Sequence, residues 1–513
     1  MGAARVALWG TFDVDNYGDH LFPRVVVHEL GRRLPGAVVH PFAPYGWLHP
    51  TALDDGRAAS PLGPWSPERA RQLAAAHHLV VVGGGELIHL NDPLLAAVYE
   101  TSTDELGRMA PSRFFVEGLG PELEADCPVV WHGLGVPWVP VGEAAGRLRA
   151  ALAGRPYVTV RDRHSARRLA EAGVERPIEV VPDSALLIDR IMPAESLRAR
   201  LARLRHDGGY PAAGSPVLVA QGCELLLPHV DGVAAAAAQW LAARPGVAPE
   251  VVVVETGRCR GDAVYADALA RALAPSRIWR LPAEAAVEDL AAAIAGGDVF
   301  LGSSLHGAIT ALVYGRPFVL LNLIDDAKLD GFGDLTGLGR AVVHAAGEIG
   351  GALAGAPAAL PAPGLLGTLQ GRIDRHFDRL AELASERAAA RPGVGPDPSL
   401  DTYAVADHLG RLRAGLATVE GQLAEVARRA DGAGQGFVGL RAALSGLQAE
   451  VGGLRADLAA VRAGLARTEA ELEASRRRAG EAERELAALQ ATRTFRLLAP
   501  ARDLYGRLRR SLT

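Results

Sequence analysis

"DVFLGSSLHGAITALVYGRPFVLL" (Asp298–Leu321) decides the fold. Its first apolar run, Val299–Leu301, is too short for a helix and suits a buried strand. Gly302 and the two serines then turn the chain, and Ser303 or Ser304 can cap a helix starting near Ser304. Phe318–Leu321, after "YGRP", reads as a second strand. Strand, helix and strand in such quick succession make a crossover unit, which sets the two strands parallel.

The same rhythm extends in both directions. "RVALWG" (Arg5–Gly10) reads as a strand and "GDHLFPRVVVHELGRRL" (Gly18–Leu34) as a helix. "HLVVVGGG" (His78–Gly85), "PVVWHGLG" (Pro128–Gly135) and "YVTVRD" (Tyr157–Asp162) are further strands, the last leading into the helix "RHSARRLAEAG". The pattern restarts after "VVPDSALLIDRIMP" (Val180–Pro193). Strands are expected there at Val217–Ala220, Val251–Val254, Arg277–Trp279, Val299–Leu301 and Phe318–Leu321. Short apolar strands alternating with helical stretches predict parallel sheets covered on both faces. The predicted fold class is α/β, with two Rossmann-like domains and a long C-terminal coiled-coil helix. The expected boundaries are 1–190, 191–390, a Pro/Gly-rich linker at 391–401, a coiled coil at 402–490 and a basic tail at 491–513.

The coiled-coil expectation comes from period. From Leu409 to Leu489 apolar residues recur at alternating steps of three and four, and of the 24 seam positions only Thr468 and Ser475 break the pattern. A seam this long favours a homo-oligomer, although its glycines weaken the helix and its alanines thin the seam. In Thr492–Thr513 six arginines stand against one aspartate, among leucines, Phe495 and Tyr505. Such a tail suits either peripheral contact with an anionic membrane face or plain solvation.

Bulk properties exclude several classes. A net charge of −5 gives no electrostatic reason for a nucleic-acid partner. Cys127, Cys223 and Cys259 are far apart and form no metal or redox spacing, which favours a reducing compartment. The N-terminal apolar run is too short for a signal peptide. A cytoplasmic protein is expected, with the inner membrane face as a peripheral contact. Lys328 is the one lysine of the chain. Any anion site therefore relies on arginine, histidine, hydroxyls and backbone N–H groups, Lys328 apart. No His, Asp or Glu cluster has metal-ligand spacing, so no metal is expected.

Several residues carry chemistry at expected strand ends. His306 falls in the first turn of its helix, where N–H groups and the helix dipole favour an anion. It can donate to that anion or exchange a proton near neutral pH. The competing reading is a satisfied histidine under the helix. Arg161 suits a bidentate grip on phosphate or carboxylate, or a surface pair with Asp162. Arg258 and Arg260, in "VVVVETGRCRGD", are further anion ligands or solvated loop residues. Asp183 reads as a site or a capping aspartate. Asn16, Gly18 and Asp19, after the first strand, suit a polyol acceptor. Gly83, Gly84 and Gly85 let a ligand approach backbone, or simply make a tight turn; they do not form a dinucleotide fingerprint.

Taken in order, "DNYGD", "VVVGGGELI", "HGLGVP" (His132–Pro137), "VRDRHSARRL", "VVPDSALLI" and "SSLHGAITALVYGRP" resemble the polysaccharide pyruvyl transferase family. The resemblance spans roughly residues 5–345. It implies two Rossmann-like domains arranged as in GT-B glycosyltransferases. It also implies transfer of a pyruvyl group from phosphoenolpyruvate, as co-substrate, to saccharide hydroxyls, forming a ketal and requiring no cofactor. His306 matches the family's histidine beside the donor, and Arg161 the arginine of its V-R-D motif. Ser303, Ser304, Arg258 and Arg260 are the accompanying donor-side residues. Many members carry arginine where this chain has Ser304, and Arg258 or Arg260 is the available substitute. The first domain is then the acceptor side, with the acceptor free or lipid-linked. Two rival readings are a GT-B glycosyltransferase using a nucleotide sugar and a non-catalytic glycan-binding scaffold.

Overall fold

The computed structural model describes residues 3–46, 59–99, 101–207, 209–244, 250–273, 278–282, 285–356 and 360–395. The expected coiled coil and basic tail lie outside the described residues.

Two parallel sheets organise the chain. The first contains β1 (Arg5–Trp9), β2 (Val38–Ala43), β3 (Ser60–Pro61), β4 (Leu79–Gly83) and β5 (Val129–His132), in the order β3-β2-β1-β4-β5. A separate parallel pair follows, β6 (Thr159–Val160) with β7 (Glu179–Val180). The second sheet contains β8 (Val217–Ala220), β9 (Glu250–Val253), β10 (Ile278–Arg280), β11 (Val299–Gly302), β12 (Phe318–Leu321) and β13 (Val342–Val343). Its order is β10-β9-β8-β11-β12-β13. The protein is thus mixed α/β with parallel sheets, and the opening stretch forms β11, the helix Leu305–Val313 and β12 as read. "YVTVRD" yields only the two-residue β6, because Pro156 precedes the run and Asp162 caps the next helix by accepting from Ser165 N.

Strand order locates the functional end of each sheet. In both, connections leave the first strand in one direction and return on its other side, between β1 and β4 and between β8 and β11. Loops diverge at such a switch point and leave a crevice beyond the strands' carboxyl ends. The loops in question carry Gly10–Asn16, Gly84–Glu86, Gln221 and Ser303–Ser304.

One apolar cluster joins the two sheets. It includes Val6 and Leu8 of β1, Leu21, Phe22 and Val26 of the helix α1 (Tyr17–Arg33), Leu186–Ile188, Ile309 and Phe300. Separate clusters fill the opposite faces of the first and second sheets. The final described helix, Leu365–Ala390, buries Ile373, Phe377 and Leu380 in the shared cluster. It is tied to α1 by Arg33, which donates to Asp374 (2.8 Å) and Asp378 (2.7 Å). Residues 391–395, in the segment read as a linker, are hydrogen-bonded to the first lobe. Gly395 N donates to Ala75 O at 2.8 Å and Arg5 donates to Gly395 O at 3.0 Å.

Candidate functional site

The two crevices face each other, and His306 stands where they meet. Its helix begins after β11, with Ser304 Oγ accepting from Gly307 N as the cap. The ring lies directly against Gly18 of α1: a Cβ built there would be 2.0 Å from Nδ1. Nε2 faces Asp183 Oδ2 at 3.5 Å. Burial raises the Asp183 pKa, but interaction with His306 and the charge of Arg161 outweigh it and bring it down to about 2. An ionised carboxylate only accepts, so Asp183 favours the ring form with its hydrogen on Nε2. The Thr310 hydroxyl donates to His306 O (2.8 Å), and Tyr17 Oη in turn donates to Thr310 Oγ1 (3.0 Å). These bonds join the helix to α1 one turn from the histidine.

Arg161 shares this environment. It leaves β6, is 5% exposed, and places Nη2 3.2 Å from Glu86 Oε1 and Nε 3.4 Å from Asp162 Oδ2. Nη2 is buried and lacks a well-aligned hydrogen bond. Glu86 follows Gly84 and Gly85, whose φ of +88° and +79° are conformations that glycine adopts without strain. Lys328 Nζ stands 3.5 Å from Glu86 Oε2 and 2.5 Å from Asp326 Oδ2. Burial would raise the Glu86 pKa, yet the charges of Lys328, Arg161 and Arg260 hold it well below the usual range. The expectation of a site reliant on groups other than lysine is therefore corrected: Lys328 sits in it, brought there by the loop after β12.

The remaining predicted residues divide. Arg260 is solvent-accessible and interacts electrostatically with Glu86, Asp19 and Asp326. Arg258 instead pairs with Asp15, Nε to Oδ2 at 2.7 Å. Asp19 accepts from Thr11 Oγ1 at 2.6 Å. Burial raises its pKa, and Thr11, His306 and Arg260 only partly offset that. Asn16 Oδ1 caps α1 by accepting from Gly18 N at 3.0 Å. Ser303 N and Ser304 N both donate to Gln221 Oε1, at 3.0 and 2.9 Å. Those two amides are engaged within the protein. Gly83 ends β4 beneath Phe22.

Glu86, Asp326 and Lys328 escaped the sequence reading. Glu86 lay inside a quoted motif, one residue beyond the glycines. Asp326 and Lys328 follow β12, again at a carboxyl end, and that position was the available signal.

The family model for polysaccharide pyruvyl transferase matches residues 16–325, more than half of the chain. The chain belongs to the polysaccharide pyruvyl transferase family. Membership makes it a transferase acting on a saccharide acceptor. The matched region contains Asp19, Glu86, Arg161, Asp183, Arg260 and His306, while Asp326 and Lys328 lie just beyond its end. No curated protein matches the chain. Among solved structures, similarity extends to UDP-GlcNAc 2-epimerase from Neisseria meningitidis, at 11% identity and TM-score 0.45, over 76% of this chain and 100% of that one. S. aureus MnaA, in its UDP co-structure, shows 9% identity and TM-score 0.46 over 77% and 99%. E. coli ADP-heptose lps heptosyltransferase II shows 15% identity and TM-score 0.32 over 62% and 84%. Among the described residues no helix is long and apolar enough to cross a membrane.

Proposed function

We propose that this pyruvyl transferase takes its pyruvyl group from phosphoenolpyruvate and leaves it as a ketal on two hydroxyls of a cell-surface saccharide or its precursor. The observation that carries the reading is the shared carboxylate: Asp183 contacts His306 and also interacts with Arg161, the two residues that match the family's donor-side motifs. The donor is a small anion with nearly three charges. Arg161, Arg260 and Lys328 are the cations in reach of one another's partners, and charge-assisted contacts to phosphate and carboxylate are strong in a partly desolvated cleft.

The chemistry balances as follows. The donor's methylene carbon gains a proton and becomes the methyl group. One sugar hydroxyl adds to the adjacent carbon, the bond from that carbon to the phosphate oxygen breaks, and phosphate departs. A second hydroxyl adds and closes the ring. The two hydroxyl protons account for the new methyl hydrogen and for the protonated phosphate. His306, held by Asp183, delivers or receives a proton in this sequence. Asp19, inclined by burial to hold a proton, stands on the acceptor side with the Gly83–Gly85 loop. The first lobe then serves mainly the acceptor and the second mainly the donor. The heptad seam supports a homo-oligomer, and the basic tail a peripheral contact with an anionic membrane face at the cytoplasmic side.

The test is phosphate release from phosphoenolpyruvate in the presence of saccharide acceptors, set against nucleotide release from nucleotide sugars. His306→Ala should lower phosphate release by about 10²–10⁴-fold, the usual worth of general acid–base help, with an unchanged circular dichroism spectrum. Near-normal turnover in that variant removes His306 from the mechanism. Nucleotide release in place of phosphate release removes the donor.

A further inference from the structure

A second cavity, of about 290 Å³, lies on the other side of the first turn of α1 from His306. Tyr17 lines it, while its neighbour Gly18 faces the histidine. Arg258 lines it as well, two residues from Arg260 of the charged cleft. The two spaces are thus neighbours along one helix terminus and one loop.

Glu255, at the carboxyl end of β9, also lines the cavity. Its side chain is only 6% exposed. Oε1 accepts from Arg280 Nε at 2.8 Å and Nη2 at 2.5 Å. Oε2 is buried and has no hydrogen-bond partner among the described residues. A buried carboxylate oxygen left without a donor is costly and calls for one. Asp15 adds a second carboxylate, partly exposed and paired with Arg258. Leu281, Pro282 and Leu290 supply an apolar wall.

These features select a class of ligand. Asp15 and Glu255 balance Arg24 and Arg258 in the lining, which leaves no net positive charge for a diphosphate, whereas hydroxyls donate to carboxylates and accept from Arg258. The apolar wall suits the C–H face of a sugar ring. The volume is at the small end for small-molecule sites, which run from about 300 to 1,000 Å³, so it admits one sugar residue rather than a stretch of polymer. We propose that this cavity holds a neutral sugar residue of the acceptor, with its hydroxyl edge on Glu255 Oε2 and the Asp15–Arg258 pair. The proposal rests on the pyruvyl-transfer reading for the order of substrates, donor at His306 and acceptor across the first turn of α1.

The test uses the full chain and saturation-transfer NMR with methyl glycosides of glucose, galactose and N-acetylglucosamine, without donor. Phosphoenolpyruvate binding is measured separately by calorimetry. In Glu255→Gln the amide oxygen stays on Arg280 and an N–H₂ group replaces the accepting Oε2. Ala286→Trp fills the cavity from its exposed rim. At least one glycoside should bind the wild-type protein, and its affinity should fall about tenfold or more in both variants, as for loss of a hydrogen bond to a charged group. Phosphoenolpyruvate affinity should hold within about twofold, since neither residue belongs to the charged cleft. Glycoside binding that both variants leave intact places the sugar elsewhere and overturns the proposal. Absence of binding by all three glycosides also overturns it, as does their displacement by equimolar UDP. Glycoside binding with the expected losses, but no phosphoenolpyruvate binding, keeps this site and overturns the donor reading instead.

Discussion

A Cβ on Gly18 would come within 2.0 Å of His306 Nδ1 and 2.1 Å of Cε1. Backbone strain is not the issue at this position, because Gly18 lies in the first turn of α1 with its N–H on Asn16. Gly18→Ala therefore tests the ring's position alone. Overpacking of this kind costs about 1–3 kcal/mol, and moving a catalytic group by an ångström costs up to about 10²-fold in rate. The variant should lose stability by that amount in urea titrations and lose phosphate release while still folding. Full activity would show that the ring need not stand between Gly18 and Asp183. At this scale the sequence was partly legible. His306 and Arg161 declared themselves through strand-end position and motif, and Asp183 through its place after a strand. Their mutual contact was not legible, because residues 161, 183 and 306 meet only through the packing of separate elements. Lys328 was singled out as the sole lysine, yet nothing local to "IDDAKL" says that Glu86 lies across the cleft.

The final described helix shows how a single element can tie distant parts of the chain to one another. His376, on that helix, places Nε2 2.6 Å from Nδ1 of His132, the last residue of β5, and Nδ1 2.9 Å from Tyr157 Oη. Both rings are fully buried and packed against Phe377, with Phe22 on His132. Tyr157 also interacts with Glu179 as a hydrogen-bond partner. With the tyrosine donating to that carboxylate, His376 donates to Tyr157 and His132 to His376. Both histidines are neutral: burial lowers His132 to about 4, which Asp183 only partly offsets, and lowers His376 well below its ordinary value, with His132 adding to the effect. The sign follows directly. Between the ordinary value of about 6.5 and about 4, the unfolded chain binds protons that the folded chain refuses. Stability is therefore full above pH 6.5 and falls as pH drops toward 4. His132 alone accounts for a loss on the order of 3 kcal/mol across that window. Asp183 stays ionised throughout it, while Asp262, raised to about 6 by burial despite bonds from Gln221, Thr256 and Gly257, contributes the opposite slope. The double variant His132→Leu/His376→Leu removes both partners and leaves Tyr157 on Glu179. Urea midpoints measured from pH 7.5 to 4.5 should decline less in the variant than in wild type, with the difference isolating the pair from Asp262. Equal declines would mean that the rings accept protons freely. Sequence alone located His132 in a motif and gave the helix around His376 no partner, since an apolar stripe does not say which surface it will cover.

At the scale of the whole described chain, parallel sheets were legible because both strands and helices repeat with short connections. The alternation of apolar runs left few topologies open, and the two switch points point to the same region as the motifs. What pattern does not carry is how the crevices divide their charges. The first lobe brings Asp19, Glu86, Arg161 and Asp183, and the second brings Arg260, His306, Asp326 and Lys328. On the proposed donor reading, neither set alone would hold a multiply charged anion. A donor held by both should act as a bridge that binds the folded state only. At 100 times its dissociation constant such a ligand adds about 2.7 kcal/mol of stability, which for a unit of this size raises the melting temperature by about 3 °C. Phosphoenolpyruvate should produce that shift in the full chain, and added salt should reduce it. Arg260→Met removes a solvent-accessible cation without leaving a buried carboxylate alone, so the basal melting temperature should barely change while the shift is largely lost. Pyruvate, which lacks the phosphate, should give little shift in either protein. A shift that Arg260→Met leaves whole would take Arg260 out of the donor site, and no shift at saturating phosphoenolpyruvate would take the donor out of the cleft.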